Sequence, residues 1–180
     1  MSARLEVVRR LIAEAHYLTE DYLLSLLQHS PFIPHDQLAT YARGIIRFFS
    51  GDFVSASYIL VPLLENALRH VLKAHGHDVS IFDDATQTQQ DRTISSLFEQ
   101  MRSELNAIFS VAIVADLERV FLSHLGPHLR HSVAHGLFHD SSPYSSDTVY
   151  GCSLIMRLCL VPLFSQREEL QLRMAEIDRG

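Results

Sequence analysis

Arg130 and His135 are the two residues of this chain whose types and spacing could do chemistry together, and both lie within residues 129–137. Arginine carries a permanent planar cation that can hold a phosphate through paired hydrogen bonds. Histidine titrates near neutral pH and can therefore move a proton under physiological conditions. The pair provides the minimal groups for cutting RNA without a metal ion.

Helical geometry separates these two side chains. Positions five apart lie about 140° apart around an ideal helix, so Arg130 and His135 do not share a face. A single chain would struggle to bring both groups to one phosphate. Two copies related by a twofold axis could instead line one shared cleft with both pairs. The spacing therefore predicts a homodimer.

The histidines near this pair suggest an alternative function for the region, the binding of a metal ion. Four of them follow one another at intervals of four, three and four: His124, His128, His131 and His135. His131 and His135 share a helix face, and such a stripe can ligate zinc. However, Gly126-Pro127 interrupts the helix, no cysteine is close, and Asp140 is the one acid nearby. We therefore expect a polar helix face with neither a metal nor a cofactor.

The composition predicts one soluble domain and limits its partners. The chain has 180 residues, of which 47% are hydrophobic and 20% charged, as in globular proteins with a full core. A net charge of −6 argues against broad nucleic-acid binding, so contact with RNA or a nucleotide must be local. Residues 1–10 lack a signal-peptide pattern, and the longest nearly uncharged stretch, 105–115, is too short to span a bilayer. We expect a cytoplasmic protein that does not contact membranes.

The apolar spacing predicts helices throughout the chain and no strands. A first helix follows the stripe from Leu5 to Leu27, a second covers about 36–49 and a third about 53–74. Residues 77–91 read as an exposed connection, followed by helices near 93–101 and 106–124, a motif helix and a long last helix. We expect one all-α domain over 1–180, a bundle of six to seven helices. In it, a helical pair (1–49) precedes a core (50–180) that holds the Arg-x4-His motif.

Three blocks carry a resemblance to a known family. They are residues 56–65 with 68–73, the loop acids Asp83-Asp84, and residues 129–137. In order and spacing they resemble a bacterial and plant family of helical domains with an Arg-Asn-x3-His-Gly motif, over about half of the chain. That family is similar to the HEPN superfamily of helical bundles, which includes toxin ribonucleases and the nuclease parts of some CRISPR effectors.

The resemblance implies an activity and roles for the motif residues. Active HEPN members use Arg-x4-6-His to cut RNA without a metal, usually as dimers. By this resemblance, Arg130 would hold the scissile phosphate and His135 would transfer protons, leaving a 2′,3′-cyclic phosphate. His131 stands where the family has asparagine; it either keeps a polar role, adds a second proton carrier, or marks lost activity. A toxin or defence setting would add an antitoxin protein as a partner.

Two further positions bear on the site. Glu65 lies on the predicted third helix, four residues before Arg69. In one alternative the two form an exposed ion pair that stabilises the helix by a few tenths of a kcal/mol. In the other, Glu65 orients Arg130 or His135. We expect the structural or supporting role. Leu137 stands where some HEPN toxins carry a tyrosine that a partner nucleotidyltransferase modifies. We therefore do not expect this chain to be regulated by that modification.

A second function remains open. The chain could be a catalytically silent HEPN-like module that binds a nucleotide, an RNA or a protein partner. The net charge of −6 and the histidine at position 131 both favour this alternative.

Overall fold

The fold is a helical bundle with one small β-hairpin, seen in a computed structural model that describes residues 2–83 and 88–165. Within these ranges the α-helices are α1 (Ser2–Ala15), α2 (Glu20–Leu27), α3 (Leu38–Phe49), α4 (Phe53–Ala74), α5 (Ile94–Gln100), α6 (Arg102–Phe109), α7 (Val111–Leu117), α8 (Leu129–Ala134) and α9 (Ser146–Ser165). The strands are β1 (Ser80–Asp83) and β2 (Thr88–Asp91). The predicted all-α bundle is confirmed.

Helix α4 forms the centre of the bundle. Its inward stripe is fully buried and consists of Leu60, Leu64, Leu68 and Leu72. Helices α3, α8 and α9 pack against it, and the hydroxyl of Tyr41 on α3 donates a hydrogen bond to the Leu63 carbonyl at 3.2 Å. Leucines at intervals of four place one continuous apolar face along the helix. This face gives the remaining helices a common surface to cover.

The N-terminal region contains three helices where the sequence predicted a pair. The expected first helix is divided at residues 16–19, and α2 begins after Thr19. The Thr19 side chain accepts a hydrogen bond from the Tyr22 amide at 3.1 Å, and Glu20 and Asp21 follow in the first turn. A side-chain cap followed by acids favours a new helix start, which the apolar stripe alone did not reveal.

The predicted fifth helix is also divided. It was expected over 106–124, but α6 ends at Phe109 and α7 begins at Val111. Between them Ser110 has a φ of +72°, a conformation that cannot continue a right-handed helix. A π-helical turn over Glu118–Leu122 then extends α7. These divisions explain why the described residues hold nine α-helices rather than six or seven.

The polar stretch 77–91 contains the hairpin, which the sequence analysis did not predict. β1 and β2 are antiparallel, with Ser80 opposite Asp91. Val79, just before β1, is fully buried, and its carbonyl accepts from the Arg92 amide at 2.8 Å. Of the loop acids, Asp84 lies outside the described residues and only the backbone of Asp83 is described. The hairpin thereby fixes Arg92 beside α4.

Helix α9 is apolar because it is a core helix. By length and mean hydropathy (1.4) the segment Ser146–Phe164 could cross a membrane, yet 56% of its residues are buried inside the protein. Its two cysteines, Cys152 and Cys159, are free and buried, and burial raises the pKa of the Cys152 thiol to about 12. Among the described residues no other helix has this length and hydropathy.

Candidate functional site

Helix α8 carries the Arg-x4-His motif and is fixed by its buried side. Leu129 and Val133, four residues apart, are 2% and 5% exposed. Leu129 packs against Gly151 of α9, where a Cβ would lie only 2.6 Å from the Leu129 Cδ1 atom. A glycine is therefore needed there for the two helices to approach this closely. With these residues facing the core, Arg130 and His131 lie on the outer sides of α8.

The His135-Gly136 step ends α8. Gly136 has a φ of +64°, which glycine adopts without the steric cost of a side chain. The Leu137 amide donates to the Ser132 carbonyl at 2.8 Å and the Gly136 amide to the Val133 carbonyl at 3.3 Å. This is the Schellman pattern of helix termination. It leaves His135 exposed at the tip of the helix, so the glycine of the motif has a structural purpose.

Arg130 belongs to an ion network with α4. Its Nη2 atom donates to the Oε2 atom of Glu65 at 3.2 Å. The other Glu65 oxygen accepts from Nη2 of Arg69, and Nε of Arg69 donates to the Arg92 carbonyl at 2.7 Å. A chain of hydrogen bonds thus runs from the hairpin through α4 to the motif. We call Glu65, Arg69 and Arg130 the ion network.

Within the ion network, Glu65 and Arg69 are more buried than Arg130. The side chains of Glu65 and Arg69 are each 16% exposed, whereas that of Arg130 is 39% exposed. One carboxylate shared by two guanidinium groups leaves one net positive charge in the network. Partly buried, hydrogen-bonded charges hold their geometry better than exposed pairs. Arg130 therefore presents a positioned cation to solvent, which suits an anionic ligand.

The four histidines of the 124–135 region form a continuous row of rings in contact, which we call the histidine column. The ring centroids of His128 and His131 lie 4.7 Å apart with planes inclined by 7°. His124 meets His128 edge-on at 4.4 Å, and His135 meets His131 at 4.4 Å. The shared face predicted for His131 and His135 is confirmed.

The column forms despite the Gly126-Pro127 break because His128 adopts a left-handed conformation, with a φ of +47°. His128 directly precedes α8, and this turn of the backbone places its ring against those of His124 and His131. Burial lowers the pKa of His128, and His124, His131 and Arg130 lower it further. In the described part of the chain, no three residues of the His, Cys, Asp and Glu types are placed to hold a metal ion.

The structure sorts the predicted site residues into two groups. Glu65, Arg69 and Arg130 are joined by ion pairs, and His131 and His135 by ring contact. Within the described ranges no hydrogen bond links Arg130 with His135, in accord with the angle between their positions. The Arg92 carbonyl also supports the site, and nothing local in the sequence signals this contact, because it is made through the hairpin.

Comparisons with protein-family models, with curated proteins and with solved structures find no match to this chain. Membership of the HEPN superfamily stays a prediction that rests on the three sequence blocks.

Proposed function

We propose that this chain is a metal-independent endoribonuclease that works as a HEPN-like homodimer. The observation that carries the proposal is the pairing, on one short helix, of a positioned cation and an accessible imidazole. Arg130 is held by Glu65 at 3.2 Å yet remains 39% exposed, and His135 is exposed where the helix ends. A phosphate-binding group and a proton-transfer group thus both face solvent.

The chemistry needs two proton transfers and one cation. The ribose 2′-hydroxyl attacks the adjacent phosphorus while a base removes its proton, and the bond to the 5′ oxygen breaks as an acid protonates that oxygen. The products are a 2′,3′-cyclic phosphate and a 5′-hydroxyl. Arg130 stabilises the negative charge that develops on the phosphate oxygens. His135 transfers protons, and the role of His131 as a second carrier stays a prediction.

A second copy of the chain would complete this site. Arg130 is directed towards Glu65 on α4, whereas His135 lies against the ring of His131. One chain offers one exposed imidazole at the tip of α8, but the reaction uses both a base and an acid. A twofold axis beside α8 brings a second His135 and a second Arg130 to the same cleft.

An exposed apolar band next to the ion network supports this dimer. Val54, Tyr58 and Pro62 are exposed at intervals of four along the outer face of α4, the face that continues to Glu65. The Tyr58 ring meets Phe138 at 5.8 Å, and Leu137 is 54% exposed nearby. Contiguous exposed apolar side chains rimmed by charge are typical of protein interfaces.

The setting of this activity is part of the same proposal. Free, buried thiols at Cys152 and Cys159 suit a reducing cytoplasm. A toxin or defence role, with an antitoxin protein as partner, follows only from the resemblance to HEPN ribonucleases.

The direct test is RNA cleavage in the presence of EDTA. We expect the wild type to cut single-stranded RNA and to leave 2′,3′-cyclic phosphate ends. Arg130→Ala and His135→Ala should each lower the rate by about 10²-fold or more, the range of a lost acid–base group. His29→Ala, which changes an exposed histidine far from the motif in the sequence, serves as the control. Equal cleavage by the wild type and both variants would exclude the proposal.

A binding module without catalysis is the second candidate. Glu65 already takes up part of the hydrogen-bonding capacity of the Arg130 guanidinium, and the chain carries a net charge of −6. In the same experiment this candidate predicts binding of RNA or a nucleotide with no cleavage by the wild type.

A further inference from the structure

The histidine column has inner residues that are half-buried and outer residues that are exposed. His128 and His131 stack face to face and each also meets an outer ring. His124 and His135 are exposed at the two ends. Another aromatic ring can join this row of rings at an exposed end. Since His135 is the proton-transfer group of the proposed reaction, the end at His124 has a surface without an assigned role.

A cleft of about 430 Å³ lies directly beside His124. It is bounded by α5, the π-helical turn and the start of the 123–128 loop, with the lining residues Ser95, Phe98, Glu99, Glu118, Ser123 and Leu125 among others. Its volume lies within the range of small-ligand sites. The cleft therefore combines an exposed imidazole with carboxylates and hydroxyls.

Charge decides which part of a nucleotide this cleft can accept. Glu99 and Glu118 both line it, and although Glu118 pairs with Arg102, carboxylates at the wall repel a phosphate. They accept hydrogen bonds from the amino groups of bases, as carboxylates do from cytosine. The lowered pKa of His128 favours an uncharged ring beneath His124, which suits stacking rather than ion pairing.

We propose that this cleft binds one unpaired nucleobase with an exocyclic amino group, stacked on His124, within the RNA strand that is cut at Arg130 and His135. The proposal rests on the proposed function, because the column links the cleft to the motif. The rings span three steps of 4.4 to 4.7 Å, so the bound base lies a few nucleotides from the scissile phosphate. Imidazole faces commonly stack unpaired RNA bases.

The test uses an oligonucleotide with 2′-O-methyl groups, which removes the attacking hydroxyl and prevents cleavage. One position at a time carries 2-aminopurine, whose fluorescence falls on stacking. We expect quenching at one position, and roughly ten-fold weaker binding by His124→Ala, as for one lost stacking contact. His124→Phe keeps the ring and should retain binding and quenching. His124→Lys supplies a charge without a ring and should behave like the alanine variant.

Base identity gives a second readout. At the quenched position adenine or cytosine should bind several-fold more tightly than uracil, and Glu99→Gln should reduce that difference because an amide also donates. His29→Ala is the control for loss of an exposed histidine. Wild-type affinity in His124→Ala, binding restored by lysine rather than phenylalanine, or no binding by the wild type would each overturn the base cleft.

The two proposals fail in different ways. If cleavage of ordinary RNA depends on Arg130 and His135 while His124→Ala binds normally, the base cleft is wrong and the ribonuclease stands. If the oligonucleotide stacks on His124 but the wild type cuts no RNA, the base cleft stands and the ribonuclease is wrong.

Discussion

The two ends of α8 hold their functional side chains in different ways. At the first turn Arg130 is tied to Glu65, which is tied to Arg69 and through it to the hairpin. At the last turn His135 is exposed and lies against the ring of His131. The cation is thus positioned by charged hydrogen bonds, whereas the imidazole stays accessible. This difference suits a group that must hold a phosphate and a group that must exchange protons with solvent.

The largest effect should come from removing the anchor that both ends share. Leu129→Ala deletes a side chain that is 2% exposed and should lower the free energy of unfolding by about 2–5 kcal/mol, as for other buried leucines. Leu125→Ala, at a fully exposed position four residues earlier, should change it by less than about 0.5 kcal/mol. Urea unfolding followed by circular dichroism measures both. Similar values for the two variants would show that α8 is not anchored through Leu129.

An intermediate effect is expected at the Arg130 end of α8, where the rate of RNA cleavage should depend on Glu65. Glu65→Gln removes the charge that orients Arg130, and we expect RNA cleavage to slow about ten-fold, equivalent to about 1.4 kcal/mol of barrier. Glu20→Gln, which changes a carboxylate in an exposed pair with Arg43, should leave the rate unchanged. Initial rates on one RNA substrate, with unfolding curves for each variant, are the measurement. Unchanged or faster cleavage by Glu65→Gln would show that Glu65 does not position Arg130.

The smallest effect concerns pH and the column. Burial lowers the pKa of His128 from its usual 6.5, so below pH 6.5 the unfolded chain binds more protons at this residue than the folded protein. Stability should therefore decrease as the pH falls below 6.5 and show no contribution from His128 well above it. His128→Asn, whose side chain tolerates the left-handed backbone, should lose less stability between pH 7.5 and 5.5 than the wild type. An identical acid dependence in both proteins would contradict this role of His128.

Local signals in the sequence predicted the parts of the fold that local chemistry controls. The apolar stripe of α4, the shared face of His131 and His135 and the i, i+4 pair of Glu65 and Arg69 all follow from spacing within one helix. Contacts made across the fold gave no such local signal, and the support of Arg130 or His135 by Glu65 was one of two alternatives that the sequence left open. Glu65 and Arg130 are 65 residues apart, and their pairing depends on how α8 packs against α4. The column depends on the single left-handed residue His128, which spacing alone does not indicate.

The most direct test of the shared cleft uses a mixed dimer. Two differently tagged chains, one with Arg130→Ala and the other with His135→Ala, are co-expressed and purified through both tags. Each such dimer retains one Arg130 and one His135, on different protomers. The account predicts that the mixed dimer cuts RNA in EDTA measurably faster than either single-variant protein. A mixed dimer as inactive as its two parents, beside an active dimer that pairs one wild-type chain with an Arg130→Ala/His135→Ala chain and so also keeps one Arg130 and one His135, would contradict a site built from both chains.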